Sequence, residues 1–120
     1  MASFPLYRLA HGRTGDKGDR SNISVLAWDA ALYPLLVEQL TEEAVARHFR
    51  LRRPAAVRRY LLPRLHAMNF VIDGLLDGGV NEALNLDAHG KTLSSLLLEW
   101  PAQVPAHLEH LLAGPAPAAR

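Results

Sequence analysis

Gly12-Arg13-Thr14-Gly15-Asp16-Lys17-Gly18-Asp19, with Asn22 just beyond it, holds the densest chemistry in the chain. Glycines at 12, 15 and 18 let a backbone turn sharply and expose N–H groups, while Arg13 and Lys17 add positive charge. That combination suits an anionic group such as a phosphate or a carboxylate. Asp16 and Asp19 suit the opposite task, holding a cation or taking a proton as a general base. Asp16, Lys17 and Asp19 are therefore the catalytic candidates. The plain alternative is a solvated loop whose Asp residues bond their own backbone in Asx-turns.

Other segments offer less. Asn85 to Thr92, NLDAHGKT, nearly matches the phosphate-loop pattern, but Asn85 stands at its first glycine and reads as part of a turn into a helix. Six arginines fall between Arg47 and Arg59, at 47, 50, 52, 53, 58 and 59. Such a cluster could meet phosphates, a coenzyme A tail, RNA or an acidic partner, but a charge block reads first as an exposed face. Only Phe49 interleaves with it as an aromatic, so base stacking is poorly supported. The six histidines, at 11, 48, 66, 89, 107 and 110, include no pair at the i, i+4 spacing of a helical metal site, and no metal site is expected. The serines lack a nucleophile-elbow context. With no cysteine, disulfides, thiolate ligands and cysteine nucleophiles are excluded.

These residues need elements to hold them. Phe4 to Ala10 reads as a strand, Gly12 to Asn22 as a long glycine-rich loop, and Ile23 to Trp28 as a second strand. Asp29 can cap a helix over residues 30–40, and Thr41 a second over 42–49, acidic at its start and basic at its end. Val57 to Leu62 is a third strand stopped by Pro63. Leu65, Met68, Val71, Ile72, Leu75 and Leu76 recur at helical spacing, predicting a helix over 65–76 that Gly78-Gly79 ends. Asn69 would sit at the edge of its apolar face, as a polar flank or as a tie to the glycine loop or a ligand. Val80 to Leu86 predicts a strand, Lys91 to Leu98 a helix, Trp100 the start of an extended segment, and His107 to Leu112 a last helical turn. The element order predicts an α+β sandwich, with helices on one face of a mainly antiparallel sheet.

Size and charge bound the function. The 120 residues, 49% hydrophobic, suffice for one core. One domain over 1–113 and an Ala/Pro-rich flexible tail over 114–120 are expected. Charge is nearly balanced, at 13 Lys+Arg against 12 Asp+Glu, which argues against nucleic acid as a partner. The first twenty residues carry six charges and no export-signal run, and no uncharged stretch reaches a membrane span. A cytoplasmic protein with no membrane partner is expected.

Taken in order, several segments resemble the C-terminal domain of the acyclic terpene utilisation AtuA family, here as a stand-alone chain. They are Gly15–Asp19 (GDKGD) with Asn22-Ile23; Val57-Arg58-Arg59-Tyr60 with Leu62-Pro63; Leu65 with Ala67-Met68-Asn69-Phe70; Gly78-Gly79-Val80; and Leu86-Asp87 with His89-Gly90-Lys91. The resemblance spans about residues 6–100, with departures at Leu61, Arg64, Asp77 and His89. It implies a ferredoxin-like two-layer α+β fold and an association with catabolism of acyclic terpenes or related branched acids as coenzyme A thioesters. It implies no cofactor and transfers no catalytic residue. Longer family members carry a larger domain before this one, so a large AtuA-type subunit, or a homo-oligomer, is the expected partner. An acyl-CoA or another anionic small molecule is the expected ligand, with Gly15 and Gly18 shaping the loop. Lys17 would meet the anion, and Asp16, Asn22 and Asn69 would hold it or the partner. Two alternatives stay open: a small hydratase, isomerase or lyase acting through the GDKGD loop, and a structural homo-oligomer.

Overall fold

The computed structural model describes residues 1–17, 20–51, 56–73 and 93–113. Strands β1 (Ala2–Pro5), β2 (Ala10–Lys17) and β3 (Arg20–Ala27) come first, then helices α1 (Tyr33–Gln39) and α2 (Glu42–His48). Strands β4 (Val57–Leu62) and β5 (Ala67–Asp73), helix α3 (Leu93–Leu97) and strand β6 (Pro101–Val104) follow.

Four strands form an antiparallel sheet in the order β2-β3-β5-β4, while β1 and β6 pair in a separate two-stranded sheet. Because β5 runs antiparallel to both β3 and β4, those two strands are parallel, and the chain between them contains α1 and α2. This split β-α-β arrangement is the heart of a ferredoxin-like fold. In the complete form the last strand lies beside the first; here β2 holds that place and β6 pairs with β1.

Cross-strand register defines two faces. Val25 opposes Met68, Ile23 opposes Phe70, and Ile72 opposes both Ser21 and Val57. These side chains are buried, and all but Ser21 join Leu36 of α1, Val45 of α2 and Leu97 of α3 in one core cluster. Each fully buried aliphatic or aromatic side chain there contributes about 1.5–3 kcal/mol. The helices therefore lie on one face of the sheet, as the sequence predicts.

Local chemistry explains the helix starts. The Asp29 carboxylate accepts from the Ala31 N–H at 2.9 Å, capping a 3-10 turn that runs into α1. The Thr41 hydroxyl accepts from the Ala44 N–H at 3.1 Å, and α2 begins with Glu42 and Glu43 and ends with Arg47 and His48.

Three sequence expectations are corrected. Of the helix expected over 65–76, the described residues Ala67–Asp73 form a strand instead: Met68, Phe70 and Ile72 alternate with Asn69, Val71 and Asp73, and β5 pairs on both sides. Its apolar spacing fits either period, and the Phe-Val-Ile run together with the hairpin to β4 selects the strand. His66, at φ 50°, turns that hairpin after the 3-10 turn Pro63–Leu65. Second, most of the expected loop over 12–22 is ladder, Arg13 opposing Ser24 and Gly15 opposing Asn22. Third, Phe4 to Ala10 is broken by a 3-10 turn over Leu6–Arg8, which buries Leu6 and carries the chain from one sheet to the other.

The expected strand over 57–62 is β4, and the expected helix over 91–98 contains α3. The expected strand at 80–86, the near-match at 85–92 and the tail at 114–120 lie outside the described residues or at their border.

Candidate functional site

The second face of the four-stranded sheet is built in rows. Cross-strand partners share a face, so each row can be traced through the register. The first row is His11, Leu26, Ala67 and Leu62; the second is Arg13, Ser24, Asn69 and Tyr60. The third is Gly15, Asn22, Val71 and Arg58, and the fourth runs from Lys17 to Arg20 and Asp73.

Several sequence-predicted residues meet here. Gly15 and Asn22 are direct partners, and a Cβ at position 15 would lie 2.6 Å from Asn22 Oδ1. Gly15 thus makes room for the Asn22 carboxamide. Asn69, one row away, accepts a hydrogen bond on Oδ1 from Ser24 Oγ at 3.2 Å. Its tie is to β3, rather than to a separate loop. The backbone of Asp16 pairs with Ser21, and that of Lys17 with Arg20. Gly18 and Asp19 lie outside the described residues, so the GDKGD candidates are placed together only in part.

The charged end of the face carries residues that sequence reading did not single out as a group. Arg20 Nε donates to Asp73 Oδ1 at 2.7 Å. That hydrogen bond first, and the Asp73 charge second, hold the Arg20 guanidinium above its ordinary value. Arg20, Arg58, Tyr60, Val71 and Asp73 line a recess of about 320 Å³. The available signal was the alternation of Arg58 with Tyr60 in β4, set against Arg20 on β3, two strands away.

The opposite end is apolar and exposed. Leu62 is 42% exposed, Leu65 64% and Trp28 50%, and Tyr60, 51% exposed, stands in the row between the two ends. The Trp28 indole stacks on His11 with centroids 4.5 Å apart and donates from Nε1 to the Tyr7 carbonyl at 3.1 Å. A large aromatic surface is therefore held in place rather than left to swing.

The arginine cluster does not form one surface. Arg59, on the helix side of β4, donates from Nη1 to the carbonyls of Val37 and Leu40 at 2.7 and 2.9 Å, satisfying the end of α1. Its N–H donates to the Glu42 carboxylate at 2.8 Å. Arg58 faces the other way, Arg47 and Arg50 are exposed at the end of α2, and Arg52 and Arg53 lie outside the described residues.

On the helix side, Ser21 Oγ is buried with no hydrogen-bond partner among the described residues. A separate groove of about 560 Å³ runs between α1, α2 and the start of β6, lined by residues including Gln39, Arg47, His48 and Trp100. Among the described residues no helix is long and apolar enough to cross a membrane.

The split β-α-β core and its helical layer define a ferredoxin-like α+β domain with one sheet face turned outward. The family described as the AtuA ferredoxin-like domain matches over residues 4–103, and the chain belongs to that family. No curated protein and no solved structure matches it.

Proposed function

We propose that this chain is an accessory domain that docks onto a larger catalytic chain of the AtuA type, serving catabolism of acyclic terpenes or related branched acyl-CoA compounds in the cytoplasm. The pathway rests on family membership. The docking role rests on one observation: Trp28, Leu62 and Leu65 expose large apolar surfaces at one end of the outward sheet face, with the exposed Tyr60 in the next row. Apolar side chains grouped in this way mark interaction surfaces. Co-expression with the large AtuA-type chain of the same source, followed by light scattering after size exclusion, tests the reading. A mixed complex of defined stoichiometry is expected, and two chains that elute separately would refute it.

A second reading, an anionic acyl-CoA-type ligand on the same face, is favoured by the recess between Arg20, Arg58 and Tyr60. Calorimetric titration with an acyl-CoA ester tests it directly.

A further inference from the structure

The outward face has two ends of different chemistry, and that asymmetry says what can cover it. Leu62, with Leu65 and Trp28 nearby, stands at one end; Arg58 and Arg20 stand near the other. Leu62 and Arg58 lie four residues apart on β4, a separation of roughly 13 Å at strand rise. Among the described side chains of the face, Asp73 is the one acid, and it is engaged by Arg20. Arg13 and Arg58 are exposed and form no ion pair among the described residues. The chain as a whole carries a formal net charge of only +1, so this excess of cations is local.

We propose that this face docks a protein surface of matching two-ended chemistry: an apolar patch against Leu62, Leu65 and Trp28, and carboxylates roughly 13 Å away against Arg58. The inference rests on the docking reading above and specifies the partner's surface. Electrostatic complementarity of this kind fixes register and rejects wrong partners.

A second copy of the chain fits badly. Two identical faces must meet through a two-fold axis. An axis along the strands lays the cationic end on itself. An axis across the strands lays arginines on the apolar end and desolvates them without counter-charges. Adding a second copy to the outer edge of β4 fares little better. The Arg59 N–H is already given to Glu42, and Pro63, which follows the strand, has no N–H. Both features shorten any ladder that could form there.

The test is the affinity of the purified chain for the purified large AtuA-type chain, measured by biolayer interferometry. The variants are Arg58→Glu, Leu62→Asp and Tyr60→Ala, with Arg47→Glu on α2 as control, each checked for native circular dichroism. Arg58→Glu and Leu62→Asp are expected to weaken binding by about tenfold or more, a change of about 1.4 kcal/mol. The Arg58→Glu deficit should shrink in about 0.5 M salt, where surface charges are screened, while the Leu62→Asp deficit persists. Arg47→Glu should bind as the wild type does. If the wild type binds and all three face variants match it, docking stands and this face is the wrong one. If the wild type fails to bind, the docking reading and this inference fall together. A homodimer dispersed by Leu62→Asp would overturn the choice of partner. So would binding of an acyl-CoA ester abolished by Arg58→Glu with no capture of the large chain.

Discussion

Asn22 lies across the sheet from Gly15, so close that a Cβ on residue 15 would stand 2.6 Å from its Oδ1. The glycine therefore serves the carboxamide opposite it. Asn22 is exposed, so its side chain can swing away at small cost. Gly15→Ala should change stability by less than about 1 kcal/mol in urea unfolding, and a collapse of the fold would contradict this account of the glycine.

Gly12 has a different reason. A Cβ there would come within 3.3 Å of Ser94 Cβ and of the Ser24 carbonyl oxygen, so α3 packs directly on the bare backbone of β2. Gly12→Val should cost about 1–3 kcal/mol by overpacking. An unchanged urea midpoint would mean that α3 can move away freely.

These two positions explain why the segment reads as a loop in the sequence. Glycine is depleted in strands and common in turns, and its cross-strand and inter-element neighbours are invisible locally. Helix caps at Asp29 and Thr41 were legible because their signals sit within a few residues of their effects. Strand β4, ended by Pro63, was legible for the same reason. By contrast, β5 was misread because its apolar positions satisfy two periods, and only pairing with β3 and β4 decides between them. The outward face was legible only in pieces. Gly15, Asn22 and Asn69 were singled out, but the rows that join them to Arg58, Tyr60 and Leu62 come from register across four strands.

If β5 is the central strand it forms here, Phe70 is its largest fully buried side chain, packed in the core with the helical layer. Phe70→Ala should destabilise by about 3–5 kcal/mol, whereas Leu62→Ala, on the exposed face, should cost far less. Equal losses at the two positions would contradict the assignment of faces.

Arg59 joins β4 to both helices, through two carbonyls of the α1 terminus and, by its own N–H, the Glu42 carboxylate. Arg59→Ala leaves those carbonyls without their donor and should cost about 1–3 kcal/mol. Arg59→Lys should recover only part of that, since an ammonium lacks the planar fork. Full recovery by lysine in thermal unfolding would contradict the geometry.

Amide hydrogen exchange, measured by mass spectrometry on the chain alone and in complex with the large AtuA-type chain, tests the central claim most directly. The account predicts added protection in peptides spanning 20–28 and 58–66, the segments that carry the two ends of the outward face. Added protection confined to residues 33–48 and 100–101, around the groove on the helical layer, would contradict it.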